Sequence, residues 1–163
     1  LYRMRTANHP TMRLAQLAAC YADSDISMSS VTSCRKLKDI YKLFSGHASD
    51  YWLKHLIPDT ELDDSRARFG KMKSEMLGIN FVAQIAFAYG SYTQSNRLID
   101  NATALLEDIP AEDNRYIKAW NSVDAIARNA YESQALLQLS TEYCIKGRCE
   151  ECPLTALLKR HGV

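Results

Sequence analysis

Residues 74–89 constrain the fold most, because their side chains are apolar around nearly the whole circumference of a predicted helix. The apolar members are Met76, Leu77, Ile79, Phe81, Val82, Ile85 and Phe87. Asn80 and Gln84 lie together at i and i+4, so we expect their amides to hydrogen-bond to each other or to nearby backbone. The run is too short and too interrupted to cross a bilayer. It predicts a buried helix at the centre of the fold.

Apolar residues elsewhere in the chain recur at helical spacing, and no segment alternates convincingly as a strand would. The predicted inward stripes are Leu14, Leu17, Ala18 and Tyr21; Leu37, Ile40, Tyr41 and Phe44; Leu98, Ala102, Leu105 and Ile109; Tyr116, Trp120 and Val123; and Leu136, Leu139 and Tyr143. We expect Ser45-Gly46 to end the second helix, and Pro110 to open the helix that carries Glu112 in its first turn. The sequence therefore predicts an all-α fold, a compact bundle of about seven helices around the central apolar helix, with a cysteine-rich turn at its C-terminal end.

The size and charge of the chain set its broad class. A length of 163 residues favours a single helical domain over residues 1–163, and the start at Leu1 predicts a fragment of a longer protein. A net charge of +1 argues against a dedicated polyanion-binding domain. Five cysteines, of which three cluster, argue against a secreted disulfide scaffold, and no signal peptide is predicted. We therefore expect a cytoplasmic protein with no membrane partner.

Three cysteines and a histidine near the C-terminus form the pattern Cys144-x4-Cys149-x2-Cys152-x8-His161. A C-x2-C pair on a tight turn lets two thiolates meet on one cation, and tetrahedral zinc accepts three cysteines and a histidine. An iron–sulfur cluster is less favoured, because it would require a fourth cysteine. A disulfide or redox pair, and plain thiols packed in a turn, are the alternatives.

The local sequence around the third of these cysteines also predicts its backbone environment. Pro153 is suited to the first position of a terminal helix, which makes Cys152 the N-cap residue. Helix N-termini lower thiol pKa values, and Lys146 and Arg148 add positive charge nearby. Cys20 and Cys34 are instead predicted to be core thiols.

Basic residues near both ends suggest a second kind of site. Their members are Arg3, Arg5, Arg13, Lys159 and Arg160, which could contact the phosphates of a nucleic acid. The simpler interpretation is a solvated end, or arginines paired with the acidic residues 59–64. No P-loop, dinucleotide-binding, zinc-protease or nucleophile-elbow motif is present. A pairing of His55 with Glu112 for acid–base chemistry has no sequence support, so we predict no catalytic residues.

Several segments together resemble an uncharacterised Bacteroidetes protein family known as domain of unknown function 2851. The resembling pieces are residues 5–18, Tyr51-Trp52 with His55, Phe69-Gly70, Ile79-Asn80, Tyr89-Gly90, residues 109–114, residues 133–136, and Tyr143-Cys144 with the two later cysteines. The chain departs from the family pattern at Thr6, usually proline, and at His9, usually phenylalanine. The resemblance implies the C-terminal half of a longer bacterial protein with a separate N-terminal region, and it implies no known activity.

The functional prediction is a helical module that is not an enzyme by itself and carries a structural zinc site or thiol knuckle at its C-terminus. Its expected partners are the N-terminal region of the longer protein or a second copy of the chain. The alternative is a nucleic-acid-associated domain that uses the basic ends to serve a catalytic N-terminal region.

Overall fold

The computed structural model describes residues 9–61 and 69–160 and confirms the all-α fold. The helices of these residues are α1 (Pro10–Asp23), α2 (Met28–Ser33), α3 (Leu37–Leu43), α4 (Asp50–Lys54), α5 (Lys71–Leu77), α6 (Gln84–Tyr92), α7 (Asn96–Asp108), α8 (Arg115–Asn121), α9 (Ala130–Gln138) and α10 (Pro153–Arg160). The chain divides into two compact units, Leu1–Leu105 and Leu106–Val163. The single domain expected from length stays a prediction. Within the described residues, no helix is long and apolar enough to cross a membrane.

A short β-hairpin interrupts the helices of the first unit. Strand β1 (His55–Ile57) pairs antiparallel with β2 (Thr60–Glu61). Pro58 and Asp59 form the turn between them, and Asp59 takes a left-handed φ of 61°. Strands of three and two residues are too short to produce an alternating pattern, which is why the sequence did not reveal them.

Helix α1 buries a different face from the one its apolar stripe predicted. Met12, Gln16 and Cys20 are buried, whereas Leu14 and Tyr21 are 65% and 59% exposed. Cys20 sets this rotation, because the backbone of Gly46 approaches the backbone of α1 at that residue. The buried Gln16 side chain accepts a hydrogen bond at Oε1 from the Arg13 guanidinium over 2.8 Å. The prediction that residues 14, 17, 18 and 21 face inward is therefore wrong.

The polar stretch after α1 contains a helix that apolar periodicity did not indicate. Ser27 and Ser30 form a reciprocal capping box at the start of α2. Helix α3 buries Ile40 as predicted, and it contacts α5 through the Tyr41 hydroxyl, which donates to Glu75 over 2.5 Å. Burial and the hydrogen bond to Glu75 raise the pKa of Tyr41 to about 12. This polar contact joins two helices of the first unit.

Residues 71–92 form one continuous helix, since a π-helical segment, Gly78–Ala83, joins α5 to α6. This helix buries one face rather than its whole circumference. The buried residues are Ser74, Gly78, Ile79, Val82, Ala83, Ala86 and Gly90. Asn80 and Gln84 are exposed, and the Asn80 amide donates to the Met76 carbonyl over 3.1 Å. Burial on all sides is therefore a wrong prediction, although the hydrogen bond of Asn80 to nearby backbone is confirmed.

In the second unit, helix α8 begins at Arg115 and not at Pro110. The Asn114 side chain caps it by accepting from the backbone N–H groups of Tyr116 and Ile117. Pro110 instead forms an isolated bridge with Asn129. Ile117 is the buried residue of α8, whereas Val123 is 66% exposed, so the predicted inward position of Val123 is also wrong.

Candidate functional site

The cysteine-rich turn follows α9, the helix that begins after Asn129. Helix α9 continues as a π-helical segment, Leu139–Cys144, which Gly147 terminates with a left-handed φ of 64°. The Arg148 N–H donates to the Tyr143 carbonyl over 2.9 Å, and the Gly147 N–H donates to the Cys144 carbonyl over 3.2 Å. This pair of bonds is a Schellman motif, which reverses the chain direction after a helix. It returns the chain from Cys144 toward the next cysteine.

The second cysteine begins a 3₁₀ turn, Cys149–Glu151, and the third, Cys152, follows this turn directly. The Cys152 N–H donates to the Cys149 carbonyl over 3.2 Å, which closes this turn. The Cys152 carbonyl then accepts from the Ala156 N–H over 3.1 Å, the first helical bond of α10. Pro153 at the start of α10 and Cys152 immediately before it confirm the helix start predicted from the sequence.

All three cysteines border one small cavity of about 130 Å³. The lining residues are Trp120, Leu139, Tyr143, Cys144, Cys149, Cys152, Leu154 and Thr155. Cys152 is buried, while Cys144 and Cys149 are exposed. Three successive pieces of backbone therefore place one cysteine each beside the same mostly apolar recess.

Trp120 forms a wall of this cavity that sequence reasoning did not assign to the site. Its indole N–H lies 2.8 Å from the Ser140 Oγ and 3.1 Å from the Leu136 carbonyl, and both accept from it. These bonds attach α8 to the π-helical segment that carries Cys144. Twenty residues separate Trp120 from Ser140 in the chain, so no local pattern connects them.

The positive charges near the cysteines are already paired. The Lys146 ammonium lies 2.6 Å from a Glu142 carboxylate oxygen. The Arg148 guanidinium pairs with Glu151 and lies over the Tyr143 ring, 5.9 Å from its centroid. These hydrogen bonds hold the pKa of both glutamates below its ordinary value. The two basic residues consequently organise the turn rather than presenting free positive charge to the thiols.

Metal binding at this turn stays a prediction. Within residues 9–61 and 69–160, no three His, Cys, Asp or Glu side chains are arranged so that they could hold a metal ion. His161, the predicted fourth ligand, lies outside the described residues. Helix α10 rises about 12 Å over its eight residues. A site made of three cysteines and His161 therefore requires the chain to turn back after Arg160.

The remaining two cysteines are core thiols, as predicted. Cys20 is fully buried and Cys34 is 4% exposed. Burial and the nearby Asp39 raise the pKa of Cys34 to about 11. Burial also raises the pKa of Cys20, with a smaller opposing contribution from a backbone hydrogen bond to Gly46. Both thiols are therefore poor nucleophiles, because the thiolate is the reactive form.

Thiol accessibility provides a direct check of this arrangement. With Ellman's reagent at pH 8 we expect Cys144 and Cys149 to react rapidly, because their side chains are exposed. Cys20, Cys34 and Cys152 should react at least about tenfold more slowly, since they react only when the structure opens. Mass spectrometry of the labelled peptides identifies the fast pair, and denatured protein should give all five thiols. Rapid labelling of Cys20 or Cys34 would contradict the structure.

The predicted nucleic-acid contacts are not tested by the structure. Arg3 and Arg5 lie outside the described residues. The Arg13 guanidinium donates to Gln16 and lies over the Phe69 ring, 5.9 Å from its centroid. Lys159 and Arg160 form the last turn of α10, where positive charge favours the helix end. Nucleic-acid association through these residues stays a prediction.

The two residues considered for acid–base chemistry each have local partners. The His55 ring stacks on Tyr51 at 4.1 Å, and its Nδ1 lies 2.7 Å from the Tyr51 carbonyl. The Glu112 carboxylate accepts from the Gln134 amide. Glu112 precedes α8 rather than lying in its first turn, so its predicted role at a helix N-terminus is wrong.

Comparison with known proteins identifies a family but assigns no activity. Neither the curated proteins nor the solved structures include a match to this chain. A family model described as "Protein of unknown function (DUF2851)" matches residues 1–115. The match covers the helices up to the start of α8 and stops before the cysteine-rich turn. The bacterial group and the C-terminal-half position stay predictions. Because the match extends over most of its length, the chain belongs to the DUF2851 family.

Proposed function

We propose that this chain is a non-enzymatic helical module whose C-terminal turn binds one zinc ion as a structural site. The observation that carries the proposal is that Cys144, Cys149 and Cys152 border one small, mostly apolar cavity. Structural zinc sites use thiolate and imidazole ligands at about 2.0–2.3 Å in tetrahedral geometry. Three cysteines supply three of the four ligands that such a site needs.

The backbone of the turn supports this role. The Schellman motif at Gly147 and the 3₁₀ turn that ends at Cys152 hold the three cysteine backbones around the cavity. In the described conformation the three sulfurs are not arranged to hold an ion, so binding would require the side chains of Cys144 and Cys149 to rotate. Both are exposed, so each can change between staggered rotamers without displacing packed neighbours. The apolar walls would then shield the metal–thiolate bonds from water.

A zinc ion at this position would join two helix ends. One is the end of the helix that begins after Asn129, which consists of α9 and its π-helical extension, and the other is the start of α10. Because the ligands must come together for metal to bind, the free energy of binding becomes free energy of folding for this unit. A structural role of this kind needs no open coordination position and no substrate. It fits a module that stabilises or docks within a larger assembly.

Cobalt and zinc titration of the reduced, chelator-free protein tests the proposal. We expect one equivalent of Co²⁺ to produce thiolate-to-cobalt absorption, Zn²⁺ to displace it, and zinc to raise the unfolding temperature. Cys149→Ser and Cys152→Ser should each abolish the absorption and the temperature shift. Serine is a good N-cap residue, so Cys152→Ser retains the start of α10.

The matched control is Cys34→Ala, which removes a thiol of the other compact unit and should leave metal binding unchanged. His161→Ala separates a site of three cysteines and one histidine from a site completed by solvent. Absence of cobalt absorption together with an unchanged unfolding temperature in excess zinc would refute the proposal. A brown protein that contains iron and sulfide would show that the turn binds an iron–sulfur cluster instead of zinc.

A further inference from the structure

The exposed side of the helix over residues 71–92 carries a neutral face made of six residues. They are Met72, Met76, Asn80, Gln84, Phe87 and Ser91, which recur at intervals of three or four. Met72 is 75% exposed and Phe87 51%. Residues 76–96 contain no Asp, Glu, Lys or Arg, although 24% of the chain is charged. Exposed helix positions are where charged residues normally concentrate, so solubility does not account for this composition.

The middle of the neutral face differs chemically from its ends. Asn80 and Gln84, one helical turn apart, present two amides between methionines on one side and Phe87 on the other. The Asn80 amide uses one donor on the Met76 carbonyl, which leaves its oxygen available as an acceptor. A partner surface must therefore offer both donors and acceptors at the centre and apolar groups at both ends.

We propose that the neutral face pairs with the same face of a second copy of this chain. Consider two such helices that pack antiparallel, with the twofold axis crossing each helix at the level of residue Val82. Asn80 of one copy then lies opposite Gln84 of the other. The same arrangement brings Met76 opposite the Phe87–Ala88 region, so amides meet amides and apolar groups meet apolar groups. Antiparallel packing also aligns the helix dipoles favourably. A charged ligand or nucleic acid would find no complementary charge on this face.

The size of the face predicts how strong the pairing is. From Met72 to Tyr92 the helix is about 30 Å long, and a strip about 10 Å wide gives roughly 300 Å² per copy. Stable specific interfaces bury about 800 Å² per partner. We therefore expect a weak dimer that forms as concentration rises through the micromolar range. The pairing is independent of the cysteine-rich turn and of its metal.

Sedimentation velocity of the whole chain from about 5 to 500 µM tests the proposal, with a monomer–dimer equilibrium expected. Asn80→Lys/Gln84→Lys and Asn80→Glu/Gln84→Glu should each be monomeric, because like charges then oppose each other across the interface. An equimolar mixture of the two variants should form a heterodimer, since the charges become complementary. If mixing the two variants restores dimerisation, the partner of the neutral face is a second copy of the chain and not another molecule. Circular dichroism checks that both variants keep their helical content.

The matched control carries the same charge change on another exposed apolar stripe. Leu14→Glu/Ala18→Glu on α1 has the same i, i+4 spacing and should dimerise as the wild type does. A wild type that remains monomeric at every concentration would overturn the proposal. Hydroxyl-radical labelling of Met76 would then show whether the rest of the chain covers the neutral face or solvent does, and the proposal fails in both cases. A dimer that survives both double charge variants would overturn it as well.

Discussion

Gly46→Ala is expected to destabilise the protein by about 3 kcal/mol or more, which lowers its unfolding temperature by roughly 6–12 °C. A Cβ at position 46 would lie 2.3 Å from the Cys20 nitrogen, 2.4 Å from the Cys20 Cα and 2.5 Å from the Ala19 carbonyl carbon. All three are backbone atoms within α1, so no side-chain rotation can relieve the overlap. Either α1 or the segment after α3 has to move. Thermal unfolding monitored by circular dichroism measures the effect.

Gly70→Ala is the matched control for this substitution. Gly70 precedes α5 with a φ of −71°, which alanine adopts readily, and a Cβ there would meet nothing within 4 Å. Its stability should change by less than about 1 kcal/mol, mainly through the helix N-cap preference. Equal destabilisation by the two alanines would mean that the close approach of Gly46 to α1 does not exist in solution.

Leu105→Ala is expected to reduce the free energy of unfolding by about 2–5 kcal/mol, while Leu14→Ala should change it by less than about 0.5 kcal/mol. Leu105 has no solvent exposure, so its truncation removes buried methyl groups and leaves a cavity. Leu14 is 65% exposed, so its truncation removes mainly solvated surface. Urea unfolding of both variants gives the two differences under the same conditions.

The comparison between the two leucines separates the observed fold from the one that periodicity predicted. Periodicity alone assigns both residues to inward stripes, and it therefore predicts two large losses of stability. Equal losses would indicate that α1 is rotated in solution relative to the described structure. A small loss for Leu105→Ala would contradict the burial of α7.

The parts of the fold that the sequence predicted correctly depend on neighbours in the chain. The start of α10 was predicted from Pro153 and its preceding residue, because helix starts are determined within a few residues. The burial of Cys20 and Cys34 was also predicted, since free cysteine is among the most buried residue types.

The parts that failed depend on contacts between distant residues. Gly46 resembles a helix-terminating glycine, but its φ is not left-handed. Its small size instead allows close contact with the backbone of Cys20, a residue 26 positions earlier in the chain. That contact also turns α1 away from its apolar stripe. A pattern within one helix cannot specify which of two semi-apolar faces a neighbour will cover.

The candidate site also contains residues that the sequence predicted and contacts that it did not. The spacing of the cysteines identified three of the cavity residues from the sequence alone. Trp120 was predicted only as part of a core stripe, because its contact with Ser140 joins α8 to a segment beyond α9. The ion pairs of Lys146 and Arg148 neutralise the positive charge that the sequence predicted beside the thiols, because the acidic partners lie three or four residues away on the same local structure.

The position of Trp120 beside the cysteines has a consequence for how folding can be observed. The chain contains two tryptophans, Trp52 in the first compact unit and Trp120 in the second. Trp52→Phe leaves an emission signal from the second unit alone, and Trp120→Phe leaves one from the first. Each unit therefore contains its own fluorophore, and the coincidence or separation of the two melting curves measures how far the units unfold as one cooperative whole.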